Sequence, residues 1–234
     1  MKGILFTEPM FNAVIEGRKT QTRRIVKKQT KDSYQIVEMV SIEKGEHVKY
    51  YGFRTKEQYD NLSKWSKNNK EYTFMGREYN RKHFTQPLYK VGETVYIKEP
   101  YYITRYQGGL MDLEWKECVK YKYGTKEENY EWRWNNPRTM AASQARYFIE
   151  ITAVRYERLQ DISDEDCLKE GIEELNAGEI VRGYPDYIQY STDGGGSHFD
   201  TPQQAYAALI DKINGKGTWA CNPYVWVCDF KLSK

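Results

Sequence analysis

Residues 145–172 read ARYFIEITAVRYERLQDISDEDCLKEGI, and two different periods meet within them. In the first half Tyr147, Ile149, Ile151 and Ala153 fall on one face of an extended chain and Phe148, Thr152 and Val154 on the other, which predicts a strand covered on both faces. The second half turns helical after Ser163, whose hydroxyl can cap the free amides of a first turn, with Asp166 three residues on as an approximate capping box. Leu168 and Ile172 then point inward and Glu170 points roughly away from them. A strand feeding a short helix needs other elements to cover their apolar faces.

Those elements lie on either side. Downstream, Thr201 and Pro202 open a helix through Ala205, Leu209 and Ile213 that stops near Gly215 and Gly217. YVWVCDFKL (224–232) then alternates and predicts a half-buried strand, with Tyr224, Trp226 and Trp219 in the core. Upstream, ETVYIKEPY (93–101) sets Val95 and Ile97 on one face before Pro100 stops the strand. TEPMFNAVIEG (7–17) carries Pro9 in a first turn, Phe11, Val14 and Ile15 at helical spacing, and Gly17 as the stop. Strands outnumber helices and alternate with them irregularly, so the class is α+β, a small β-barrel with helices at its mouth. One domain over residues 1–234 is expected, with insertions at 27–85, 102–138 and 173–200. The first contains the short run YQIVEMV, and the third contains Gly194, Gly195 and Gly196 as a connecting loop.

Composition narrows the functional classes. The mean hydropathy of −0.86 and the absence of any long apolar run exclude a membrane-spanning helix, and MKGILFTEP is too short an apolar start for a secretory signal, so a cytoplasmic protein is expected. With 36 basic and 33 acidic residues the net charge of +3 is too small for a nucleic-acid coat or a membrane-surface binder. Any electrostatic site is therefore local. Aromatic residues reach 15%, which excludes general disorder and supplies rings for a sheet core or for stacking. Cys118, Cys167, Cys221 and Cys228 form no C-x-x-C pair and read as reduced thiols; His47, His83 and His198 lack metal-ligand spacing. Neither a metal nor a cofactor is expected.

The densest polar chemistry follows Gly17: Arg18, Lys19, Thr20, Gln21, Thr22, Arg23 and Arg24 place four cations and two hydroxyls in seven residues. Read alone it is a cationic loop. In EGRKTQTRRI, however, Gly17, Lys19, Thr22 and Arg24 keep the spacing of a family signature, and VGETVYIKEPY, the 140–172 block and INGKGTWACNPYVWVCDF support it. On these blocks the chain resembles the ASCH family of the PUA-like β-barrel superfamily, in its longer, phage-associated branch. The resemblance implies a PUA-like barrel. It also implies one of two activities, since the family contains nucleic-acid binders and small bacterial amidohydrolases that deacetylate N4-acetylcytidine. In those hydrolases a Lys, a Thr three residues on and a downstream Glu carry the chemistry, and they fall here on Lys19, Thr22 and Glu170.

The residues can support that chemistry. A Thr hydroxyl needs an adjacent base, and a lysine serves as one only when neutral; the cations Arg18, Arg23 and Arg24 and partial burial both lower its pKa. In a regular strand positions 19 and 22 would face opposite ways, so an irregular segment after Gly17 is required. Glu170 has three roles open: to orient the Lys19 ammonium, to relay a proton, or to bond an exocyclic nitrogen of a cytosine-like ring. Its charge would raise the lysine pKa, which favours the last two. Arg23 and Arg24 suit a phosphate or an oxyanion, and Tyr96, Glu99 and Tyr101 could line the same mouth. Bland readings stand beside these: Glu170 as a solvent-facing helix carboxylate, and Glu99 as an ion-pair partner. The functions left open are hydrolysis of an N4-acylated cytidine or related modified pyrimidine nucleoside, non-catalytic binding of RNA or a modified base, and a host-interaction protein with a vestigial pocket.

Overall fold

The computed structural model describes residues 1–27, 33–43, 46–55, 84–109, 112–124, 133–176, 188–192 and 197–233. Its centre is a five-stranded mixed sheet of β1 (Lys2–Leu5), β2 (Gln21–Ile25), β6 (Thr94–Lys98), β9 (Phe148–Arg158) and β12 (Tyr224–Ser233), in the order β1-β6-β9-β12-β2. Only β1 and β6 run parallel. The strand predicted over 224–232 lies between β9 and β2, and Val225, Trp226, Val227 and Cys228 are all buried, so its first half is covered on both faces while Lys231 and Leu232 near its end are exposed. Ile149 and Ile151 of β9 are fully buried, as their alternation requires.

The expected barrel does not close among the described residues: β1 and β2 are the two ends of the sheet and do not pair. A side chain spans the seam instead, Arg24 Nη2 donating to Leu5 O at 3.0 Å. The class is therefore α+β with an open mixed sheet.

Among the described residues four helices accompany this sheet: α1 (Glu8–Ile15), α2 (Asp164–Lys169), α3 (Pro202–Asn214) and α4 (Thr218–Cys221). In α1 Met10, Phe11, Ala13 and Val14 are buried, each large side chain contributing about 1.5–3 kcal/mol. Thr201 caps α3 by accepting from Gln204 N at 3.2 Å. Its buried stripe is Ala205, Tyr206, Leu209 and Ile210; Ile213, expected inward, is 48% exposed. The box at Ser163 is half formed: Ser163 Oγ accepts from Asp166 N, while the Asp166 carboxylate bonds Arg23 and Arg155 across the sheet.

Each interval expected as an insertion carries its own small sheet: β3 (Ser33–Glu43), β4 (Glu46–Thr55) and β5 (Phe84–Thr85) in the first, most of β7 (Tyr101–Gly109) with β8 (Asp112–Tyr121) in the second, and β10 (Glu173–Asn176) with β11 (Ile188–Ser191) in the third. The run YQIVEMV lies in β3. Gly194, Gly195 and Gly196 fall outside the described residues, as do the side chains of His47 and His83. No helix among the described residues is long and apolar enough to cross a membrane.

Candidate active site

The segment between α1 and β2 is irregular, as a Lys19–Thr22 partnership requires. Gly17 ends α1 with φ +78°, a left-handed turn that glycine adopts without strain. Three backbone bonds then pin residues 18–20 to three different elements. Lys19 N donates to Ala13 O of α1 at 2.9 Å, Thr20 N to Lys169 O at the end of α2 at 2.9 Å, and Phe230 N of β12 to Thr20 O at 2.8 Å. The chain therefore enters β2 with Lys19 already fixed, and the pleat places Thr22 and Arg24 on one face and Gln21 and Arg23 on the other.

Glu170 arrives from the end of α2. It is the C-cap of that helix, and Gly171 follows with φ +98°. A Cβ at Gly171 would lie 3.2 Å from Met10 Sδ, 3.3 Å from Ala13 Cβ and 3.4 Å from Lys19 Cβ, so α1, Lys19 and the α2 terminus meet in close packing. That contact seats Glu170 against Lys19. Lys19 Nζ donates to Glu170 Oε2 and to Glu170 O, both at 2.6 Å. Glu170 is 4% exposed, which corrects its reading as a surface carboxylate. Neither bond goes to Thr22.

Lys19, Thr22, Arg23, Arg24 and Glu170 all line one cavity of about 100 Å³, completed by Phe6 and Met10 on one side and Tyr206 and Leu209 on the other. Burial lowers the Lys19 pKa from the usual lysine value; the adjacent Glu170 opposes that shift and the Arg24 and Arg23 cations add to it. The direction expected from the neighbouring cations holds, with desolvation as its main cause. Lys19 Nζ and Arg24 both lie over the Phe6 ring, 5.6 and 5.7 Å from its centre.

Arg23 turns away from solvent into carboxylates. Its Nη2 bonds Asp166 at 2.8 Å and Glu157 at 3.2 Å, its Nη1 bonds Gln21, and Glu170 Oε1 lies 3.5 Å from Nη1. Burial alone would raise the Asp166 pKa, but Arg23, Arg155 and Lys169 outweigh it and hold the carboxyl below its usual range. Arg18 lies outside the cavity and pairs with Glu16 and Glu173.

The other three expected site residues do not line this cavity. Tyr96 donates to Met140 O, and Tyr101 Oη lies 3.4 Å from Thr139 Oγ1. Glu99 is fully buried and receives a two-pronged bond from Arg146 at 2.8 and 2.7 Å. Arg146 also donates to Tyr123 O and lies over the rings of Tyr121, Tyr147 and Phe11. The ion-pair reading of Glu99 describes these contacts, and burial lifts its pKa in spite of Arg146. Glu99→Ala is accordingly expected to lower stability by about 2 kcal/mol and to leave ligand affinity at the cavity unchanged. Chemical denaturation and a binding titration read the two effects, and a weakened affinity at full stability would return Glu99 to the site.

Tyr206 is the lining residue that the sequence reading missed. Its signal was its place beside Ala205 on the apolar stripe of α3, where a phenol needs a partner for its hydroxyl. Among the described residues no three of His, Cys, Asp and Glu group closely enough to hold a metal ion. Compared with family models, curated proteins and solved structures, the chain matches none.

Proposed function

We propose that this chain is an amidohydrolase that removes an acyl group from an N4-acylated cytidine or related modified pyrimidine nucleoside, with Thr22 as nucleophile and Lys19 as base. The observation that carries the reading is the convergence of a buried, pKa-depressed Lys19 with Thr22 and Glu170 around one small cavity. A partly open cavity of about 100 Å³ is below the roughly 300 Å³ at which pockets for whole small molecules begin. The acylamino end of a base therefore enters, and the ribose lies outside near Ile25, Ile213 and Asn214.

Neutral Lys19 accepts the Thr22 Oγ proton as that oxygen attacks the acyl carbon. The Lys19 ammonium then gives the proton to the leaving nitrogen as the C–N bond breaks, leaving an ester on Thr22. Water attacks that ester with Lys19 again as base, releasing the carboxylic acid and restoring the hydroxyl. Glu170 holds Lys19 in place and accepts from the substrate nitrogen. Arg23, buried among carboxylates, orients Glu170 rather than contacting substrate; Arg24 supports charge at the cavity wall.

The resemblance to the ASCH family adds to this reading, and the finer fold goes with it: a PUA-like barrel left open at the seam where Arg24 bridges β1 and β2. A cytoplasmic setting goes with it too, supported by cysteines that are all free thiols. A second reading, non-catalytic recognition of RNA or a modified base, draws on the two Lys19–Glu170 bonds, because both favour the ammonium over the free base.

Chromatographic assay of N4-acetylcytidine and a panel of N4-acylated cytosines with wild type and Thr22→Ala decides between them. Turnover by the wild type that falls to background in a folded Thr22→Ala is expected. Full activity in Thr22→Ala removes the nucleophile assignment. No turnover by wild type, together with RNA binding that weakens steeply with salt, selects the binding module.

A further inference from the structure

Three buried side-chain polar atoms among the described residues have no hydrogen-bond partner: Tyr206 Oη, Glu170 Oε1 and Arg23 Nε. Roughly nine in ten buried polar groups in folded proteins are bonded, so each of these orphans calls for a cause. All three belong to residues lining the same cavity. Isolated packing defects would scatter through the core, whereas a shared location is what a site complementary to a ligand produces.

The chemistry of the orphans specifies the ligand. Glu170 Oε2 is taken by Lys19, while Oε1 accepts no hydrogen bond and has only the Arg23 guanidinium 3.5 Å away. Tyr206 is 1% exposed, and burial pushes its hydroxyl well above the usual phenol range, so it is a neutral donor throughout the physiological range. Its ring is held by the fully buried stripe of α3 and by an edge contact with Trp219, the centroids 6.2 Å apart. Arg24, the other donor with a claim on an oxygen, already donates to Leu5 O.

A carboxylate or phosphate offers no proton to Glu170 Oε1 and would be repelled by it. A secondary amide offers one donor and one acceptor, matching Glu170 Oε1 as acceptor and Tyr206 Oη as donor; the third orphan, Arg23 Nε, belongs to a guanidinium already held by Asp166 and Glu157. We propose that Tyr206 contacts the substrate directly, its hydroxyl donating to the acyl oxygen of a secondary amide whose N–H is accepted by Glu170 Oε1. This rests on the amidohydrolase reading and assigns its oxyanion donor. As Thr22 attacks, negative charge collects on the acyl oxygen, and the bond from Tyr206 strengthens there without any proton leaving the phenol.

The test compares wild type with Tyr206→Phe, which keeps the ring and removes the orphan oxygen. With N4-acetylcytidine as substrate, kcat/KM is expected to fall about 10²- to 10³-fold. The Tm is expected to be unchanged or higher, because an unbonded buried hydroxyl stabilises nothing in the free protein. Wild-type kcat/KM in Tyr206→Phe overturns the assignment while leaving the hydrolase reading intact. So does a clear loss of Tm, which would reveal a structural bond. Absence of wild-type turnover defeats the hydrolase reading separately. Calorimetric binding of N4-acetylcytidine then judges Tyr206: affinity about tenfold weaker or more in Tyr206→Phe supports it, and equal affinity, or no binding by the wild type, overturns it.

Discussion

On the proposed amidohydrolase reading, Lys19→Met is expected to lower kcat for N4-acetylcytidine by about 10²- to 10⁴-fold, the usual worth of a positioned base, with little change in KM. Methionine keeps a straight side chain of similar length, so packing against Phe6 and Gly171 survives, while Glu170 loses its Nζ bonds and keeps the Arg23 guanidinium beside it. The pH dependence carries a second signature. Burial holds the Lys19 pKa in the folded chain below that of the unfolded chain, so unfolding takes up a proton between the lowered value and the ordinary lysine value near 10.5. Stability contributed by this group therefore rises with pH across that window, and below it the cost of the buried ammonium is fully present. Catalysis rises as pH passes the lowered Lys19 value, at the bottom edge of that window, and levels off within it because the amine of the folded enzyme is then neutral. Lys19→Met flattens both profiles, and steady-state kinetics with denaturant melts at a series of pH values read them together. A variant with wild-type kcat, or a wild-type rate falling with pH across the window, refutes the base.

Arg23→Ala is the largest expected loss of stability, about 3–5 kcal/mol, the cost of leaving buried charge uncompensated. The side chain is wholly buried, and Asp166, Glu157 and Glu170 all face it. Burial disfavours the cation, yet Glu170 and the other carboxylates reverse that and hold its pKa above the ordinary guanidinium value. Arg155→Ala is the control. Arg155 bonds Asp166 at 2.9 Å, but its side chain is 39% exposed, and water replaces it cheaply. Guanidinium denaturation of the two variants should separate them widely; equal losses would show that Arg23 is solvated in solution. Arg23→Lys does not rescue, because one ammonium cannot reach two carboxylates and Gln21 with a planar fork.

Much of the frame was legible because it rests on periodicity. The alternation of 147–154 and 224–232, the helix stops at Gly17 and Gly215, and the caps at Ser163 and Thr201 are local signals, and the elements they predict form. What periodicity could not convey is order in space. A strand that alternates apolar and polar residues near its end looks half-buried, but its first half lies between two neighbours, and Asp229, paired with Arg155, has β9 on one side and β2 on the other. The closed barrel was expected from strand number, while closure depends on a β1–β2 pairing that no local pattern encodes.

At the site, Lys19, Thr22, Arg23, Arg24 and Glu170 line one cavity, although the short motif held only Lys19, Thr22 and Arg24 of these five. Glu170 was ambiguous because a helix-terminal carboxylate is exposed or buried according to what packs over it, here α1 and Lys19. Tyr96, Glu99 and Tyr101 were grouped with the site for lying at the end of a strand. Their partners, Met140, Arg146 and Thr139, come from the segment leading into β9, which covers that strand end.

Strand order also bears on how the chain is made. β2 carries Thr22, Arg23 and Arg24 of the site, and among the described residues its only strand partner is β12; Gln21 and Asp229, bonded side chain to side chain, are 208 residues apart. A ribosome delivers the first long before the second, so the β9 edge that β12 covers stays unpaired from the synthesis of β9 until residues 224–233 emerge. Assembly of the sheet is then a late, long-range event, slow by the standards of helical proteins. Chaperone demand in the cell should follow from that delay: a stalled chain ending before Tyr224 holds Lys19 and Thr22 but has no strand to lay them on.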